Sequence, residues 1–148
     1  MADATKQIMS FYVNELFLAI DVSFLHDVLG VRKCNQVPLA SPGIGGIINL
    51  RGNIVTVLDV DNITKSHDQP NERPYNIVFD FNAELYSLAV DKIGEFINIA
   101  GDKIDPIPSG INPAVTAIAS GVLYVHDETI LVLDIEKTIK LLQRGAEG

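Results

Sequence analysis

The side chains of this sequence whose types could do chemistry are three histidines, two aspartates that follow apolar runs, one cysteine and one arginine in a turn. His26, His67 and His126 lie far apart, with no paired ligand at metal spacing, so each reads as a surface or partly buried imidazole and no metal is expected. Asp59 and Asp134 close the echoing stretches VLDV and VLDI, and a pair of carboxylates across a two-fold axis could share a proton. Such a dyad needs a glycine-flanked loop around each carboxylate. VLDV and VLDI supply strand ends, which makes an Asp that caps the following turn or helix the better reading. Cys34 stands alone, so an internal disulfide and a thiolate cluster are both excluded. Nucleophile elbows, phosphate loops and zinc-protease helices are missing, and Gly43, Gly45 and Gly46 do not have dinucleotide spacing. No cofactor and no enzymatic activity are expected.

Arg51 is the residue that stays open. It sits at the tip of an expected hairpin, where it is either a solvated cation or one half of a charge-assisted pair with Asp27.

Positioning these groups falls to short apolar runs rich in Val, Ile, Phe and Tyr, broken by Gly, Pro, Asn and Asp, which is a mainly β pattern. Strands are predicted over 8–13, 16–21, 46–50, 54–58, 75–81, 84–90, 121–125 and 129–133. Val13-Asn14-Glu15, Arg51-Gly52-Asn53 and Phe81-Asn82-Ala83 leave room only for hairpin turns. Val22, Leu25, Val28 and Leu29 fall at helical spacing behind Asp21, predicting a short helix over 21–29. Ile135, Ile139 and Leu142 predict a C-terminal amphipathic helix that starts after an Asp134 cap. The polar segment 61–74, with two prolines, reads as a surface loop.

The chain also repeats itself. GIINLRGNIVTVLDV from Gly46 is echoed by GVLYVHDETILVLDI from Gly121, and LAID at 18–21 by LAVD at 88–91. Leu25, His26, Asp27 and Val28 answer to Ile93, Gly94, Glu95 and Phe96, and Pro38 to Pro108. Two similar halves of about five strands each would suit two small barrels, which leave few open sheet edges.

Composition sets the outer limits. With 148 residues, 47% hydrophobic and 20% charged, the chain is expected to be one globular domain, and neither disordered nor membrane-spanning. A net charge of −8 disfavours nucleic acid as a partner. The N-terminus does not read as a signal peptide, so a cytoplasmic location is expected and the sequon at Asn62 carries no glycan.

With these residues in place, INLRGNIVTVLDV strongly resembles the hallmark of the CheW-like family of bacterial chemotaxis coupling proteins. The likeness extends through LAID, the prolines ahead of the hallmark, LAVD and the closing ILVLDIEKTIKLL. It implies a single domain over residues 1–148, built as two intertwined five-stranded SH3-like β-barrels with a short helix after the second strand and a C-terminal helix. It also implies a non-catalytic adaptor joining the cytoplasmic tips of methyl-accepting chemoreceptors to the regulatory domain of the histidine kinase CheA, without membrane insertion. Receptor-side positions fall on Leu25, Asp27, Gly46 and Arg51, with Asp27 and Arg51 paired to hold a groove. Kinase-side positions fall on Asp105, Ile107 and Ile111, where IDPIPSGI would project apolar residues from a proline-rigid loop. Asp27 stands where the family usually has Glu, and Thr56 where Pro is common. A chain with no receiver or kinase domain fits a free-standing coupler, serving chemotaxis or a related pathway that controls pili or a second messenger.

Overall fold

The computed structural model describes residues 5–30, 44–58, 74–100, 103–111 and 113–144. Cys34, Pro38, Asp59, His67 and nearly all of the 61–74 loop lie outside them. Strands β1 (Thr5–Val13) and β2 (Leu16–Asp21) form a hairpin, and a single 3-10 turn over Val22–Phe24 leads into β3 (Leu25–Leu29). A second hairpin pairs β4 (Ile44–Leu50) with β5 (Asn53–Leu58). Then come β6 (Tyr75–Phe81), β7 (Glu84–Val90) and β8 (Lys92–Ala100), one helical turn at Pro113–Thr116, and the hairpin of β9 (Ala119–Val125) with β10 (Glu128–Leu133). The helix Ile135–Arg144 closes the described chain.

The strands make two five-stranded sheets, ordered β8-β1-β2-β10-β9 and β3-β6-β7-β5-β4. This order is an exchange. β1 and β2 belong to the first sheet while β3, β4 and β5 belong to the second; β6 and β7 stay in the second while β8, β9 and β10 return to the first. Each sheet thus combines two strands from one half of the chain with three from the other. The crossovers are fastened: the Asp91 carboxylate accepts the Asn14 N–H at 2.5 Å, and the Asp91 N–H donates to the Tyr12 carbonyl at 2.8 Å.

Alternation along the strands produces three cores. Ile8, Ala19, Ile99, Leu123, Ile130 and Val132 form a cluster to which all five strands of the first sheet contribute. Leu29, Ile48, Leu50, Val55, Val57 and Val78, with Leu85 and Ala89 packed against them, do the same for the second. A core drawn from one face of one sheet fits a sheet that curls around it, as the strands of a small barrel do. The other faces meet in a central core around Met9, Phe11, Leu18, Ile77, Phe79 and Leu88, capped by Ile135 and Ile139 of the C-terminal helix. Phe11 and Phe79 are the largest fully buried side chains of that layer, and truncating either to Ala removes about 3–5 kcal/mol.

Two elements differ from expectation. The helix predicted over 21–29 is only the 3-10 turn, because Asp21 Oδ1 caps Ser23 N–H at 2.9 Å and the chain then joins β6 as a strand. A bulge between Leu25 and Asp27 shifts the alternation, so Leu25 faces the central core and Leu29 the inside of its own roll. Residues four apart therefore imitated a helical stripe. Strand β8 was not foreseen, since on a sheet edge it exposes Lys92, Gly94, Glu95, Phe96 and Asn98 and shows no clean apolar alternation.

Candidate functional site

The β4–β5 tip turns in two residues, with Leu50 opposite Asn53 and Arg51 and Gly52 at φ 52° and 88°. Paired left-handed residues match the twist of the flanking strands. Asn49 Oδ1 pins the turn by accepting the Gly52 N–H at 2.9 Å. Arg51 thus occupies a backbone region that disfavours a side chain, costing roughly 1–2 kcal/mol, and it is exposed. Among the described residues it has no ion pair, so the expected bridge to Asp27 is not formed. Asp27 Oδ1 instead accepts the N–H of its neighbour Val28 at 2.8 Å.

The remaining expected receptor-side residues are spread over the same sheet. Leu25 is half-buried against the central core, so it packs as well as displays. Asp27 lies on the edge strand β3 opposite Val78, not on a helix. Gly46 is buried beside the register shift in β4 at φ 144°, a backbone that an L side chain rarely adopts, and this alone accounts for the glycine. Beside the Arg51 tip lies a shallow hollow of about 370 Å³ lined by Asn53, Ile54 and Thr56, by Ala83 of the β6–β7 turn and by Glu84 and Leu85 at the start of β7.

The expected kinase-side loop does not project as predicted. Asp105 is exposed and bridges Val122 through two backbone bonds of 2.8 Å, while Ile107 and Ile111 are half-buried against the central core. Apolar residues on a proline-rich loop found a core within reach and turned toward it.

The repeat places the second half in register with the first. Leu25 opposes Phe79 and Val28 opposes Ile77; Ile93 opposes Phe11 and Phe96 opposes Met9. Edge strands β3 and β8 thus hold equivalent positions, each bulged at the same point. The tip equivalent to Arg51-Gly52 is His126-Asp127, also left-handed at φ 51° and 65°. The exposed apolar residues escaped prediction: Val28 at 37%, Phe96 at 54%, Ile54 at 61% and Tyr124 at 56%. The repeated motif pointed to Val28 and Phe96, but only sheet order shows that both stand on edges.

What the described residues offer for catalysis is meagre. No group of three or more His, Cys, Asp or Glu among them could hold a metal. Asp134 acts as the cap expected of it, its Oδ1 accepting the Lys137 N–H at 3.0 Å. His26 Nδ1 stands 3.8 Å from Asp80 Oδ2 on the surface, and His126 is exposed. Among the described residues no helix is long and apolar enough to cross a membrane.

The model of the CheW-like domain matches residues 7–143. The chain belongs to the CheW-like family. The chemotaxis protein CheW of Thermotoga maritima is 27% identical over 143 residues, covering 95% of this chain and 93% of that protein. CheW of Rhizobium meliloti is 20% identical over 147 residues, covering 99% and 95%. Among solved structures, the scaffolding protein TtCheW of Thermoanaerobacter tengcongensis superposes with a TM-score of 0.78 at 26% identity, over 88% of this chain and 90% of that one. The two sheets and the hallmark hairpin described above are accordingly those of a CheW-type chemotaxis scaffold.

Proposed function

We propose that this chain couples chemoreceptor tips to the histidine kinase CheA, as a cytoplasmic adaptor without catalysis that works at membrane-associated receptor arrays. Residues 1–148 act in this reading as one domain of two pseudo-repeated halves. The observation that carries it is the pair of apolar side chains, Val28 and Phe96, held in solvent at equivalent places on two edge strands of a CheW-like fold. Exposed apolar residues on strand edges favour a partner over a monomer.

Leu25, Asp27, Gly46 and Arg51 then belong to the receptor side, with Val28 on β3 and Phe96 on β8 as two further apolar contacts. Gly46 shapes the strand that carries the tip, and Arg51, with no ion pair among the described residues, supplies a cation to the receptor's helices. An exposed arginine at a hairpin tip with no ion pair among the described residues fits a binding role. Asp105, Ile107 and Ile111 form the kinase side, with Asp105 displayed and the two isoleucines supporting the loop from beneath. Single contacts of this kind are weak and gain strength through multivalency in an array.

Co-sedimentation with the kinase and a receptor signalling fragment from the same genome tests the proposal. Wild type should form a ternary complex, and Arg51→Ala should weaken it at the receptor step while kinase binding stays. Binding to neither partner by wild type refutes the coupling role.

A further inference from the structure

The roll built from β8, β1, β2, β10 and β9 opens at one end into a hollow of about 300 Å³ that the coupling role does not use. Its lining includes Tyr12 and Phe17, which face each other across β1 and β2 with ring centroids 4.3 Å apart and planes within 6°. The Lys92 ammonium stands 5.6 Å from the Tyr12 centroid. Glu95 enters from β8, and His126 and Glu128 from the β9–β10 tip.

The placement of Glu95 is built into the bulge. Ser10 Oγ, fully buried, accepts the Glu95 N–H at 2.9 Å. A Cβ on Gly94 would lie 2.1 Å from that oxygen, so only glycine lets β8 approach. The corresponding positions of the other roll carry Asp80 and Leu85, which are also paired across their strands but form no aromatic stack. The aromatic lining of this hollow is therefore particular to one end of the molecule.

Its chemistry favours a flat cation. Lys92 already shows that the Tyr12 ring accepts positive charge on its face. Glu95 and Glu128 are exposed and have no ion pair among the described residues, which leaves two carboxylates at the rim to receive N–H donors. A guanidinium both stacks on rings and forks onto carboxylates, whereas an ammonium does neither as well. The net charge of −8 draws a cationic group inward. A free amino acid would also bring its own carboxylate against Glu95 and Glu128, while a residue within a chain would not. The volume suits one long side chain.

We propose that this hollow receives an arginine side chain presented by a partner protein, an interaction separate from the receptor and kinase contacts above. Titration of the full-length protein with acetyl-Gly-Arg-Gly-amide, followed by amide resonances in NMR, tests it. Saturable shifts are expected at Gly94, Glu95, His126 and Glu128, and the citrulline peptide should bind about tenfold or more weakly, the loss of one charge-assisted contact. The double variant Glu95→Gln/Glu128→Gln should lose the response while keeping its dispersed spectrum. Lys92→Gln should strengthen binding, because it clears a competing cation from Tyr12. Equal shifts from arginine and citrulline peptides, or shifts spread over the whole acidic surface, overturn the proposal. Free L-arginine binding as tightly as the peptide also overturns it, since the occupant would then be a small molecule.

Discussion

The two edge strands are the same device fitted with different side chains. β3 presents Leu25, Asp27 and Val28 beside a roll whose hairpin tip carries Arg51; β8 presents Ile93, Glu95 and Phe96 beside a roll whose tip carries His126. Bulge, register and left-handed turn agree between them, so the backbone does not depend on the exposed side chains at which the two edges differ. What differs between the two regions is therefore available for recognition. One edge offers a small apolar residue in a sheet whose tip carries an arginine with no ion pair among the described residues, the other a large aromatic in a sheet that holds a carboxylated hollow.

The strongest way to break this comparison is through the core beneath it. Phe11→Ala and Phe79→Ala occupy equivalent places and should each lower stability by about 3–5 kcal/mol in denaturant unfolding. Values that differ by more than half of that would show the halves to be alike in trace but not in packing.

Surface changes ask whether both edges meet the same partner. Val28→Asp and Phe96→Asp should each weaken receptor binding about tenfold, near 1.4 kcal/mol, with melting temperatures almost unchanged. Val28 is a cleaner probe than Leu25, whose replacement by Asp would also disturb the central core. If kinase binding falls as far as receptor binding, the two-surface assignment is wrong.

The tips give the sharpest contrast. Arg51→Gly and His126→Gly both relieve a left-handed side-chain residue, so each should leave stability within about 1 kcal/mol of wild type. Only the first should reduce receptor binding in co-sedimentation. Marked unfolding of Arg51→Gly would make the arginine a structural residue. The smallest effect is expected at Ala83, left-handed at φ 66° in the β6–β7 turn: Ala83→Gly should raise stability by about 0.5 kcal/mol, measurable as a shifted urea midpoint.

Much of this was legible in the residues. Eight strands, three hairpin turns, the Asp134 cap and the correspondence of Leu25-His26-Asp27-Val28 with Ile93-Gly94-Glu95-Phe96 all followed from spacing, because buried alternation and turn chemistry are local signals. The misreadings came from non-local causes. A bulge in β3 changed which face Leu29 meets, and pairing with β6 decided strand over helix. β8 has the exposure of an edge, which no window of sequence reveals. Charge left the Asp27–Arg51 bridge open and the family resemblance implied it, but Asp27 satisfies a neighbouring N–H on its own strand. Ile107 and Ile111 looked like display residues until the central core lay within their reach.

The exchange of strands between the sheets has a consequence on the ribosome. When β1 and β2 emerge, neither of their final outer neighbours exists, since β8 begins at Lys92 and β10 ends at Leu133. At about 5–20 residues per second the hairpin waits for seconds with both edges open. The second sheet, whose strands run without interruption from β3 to β7, can form first, and the nascent hairpin can lean on its outer face through the future central core. Asp91, just ahead of β8, ties the Asn14 turn first, and the three strands that follow it then lock the hairpin in place. A ribosome that stops before Leu133 would release a chain with one finished roll and one unpaired ribbon, a natural substrate for chaperones and proteases.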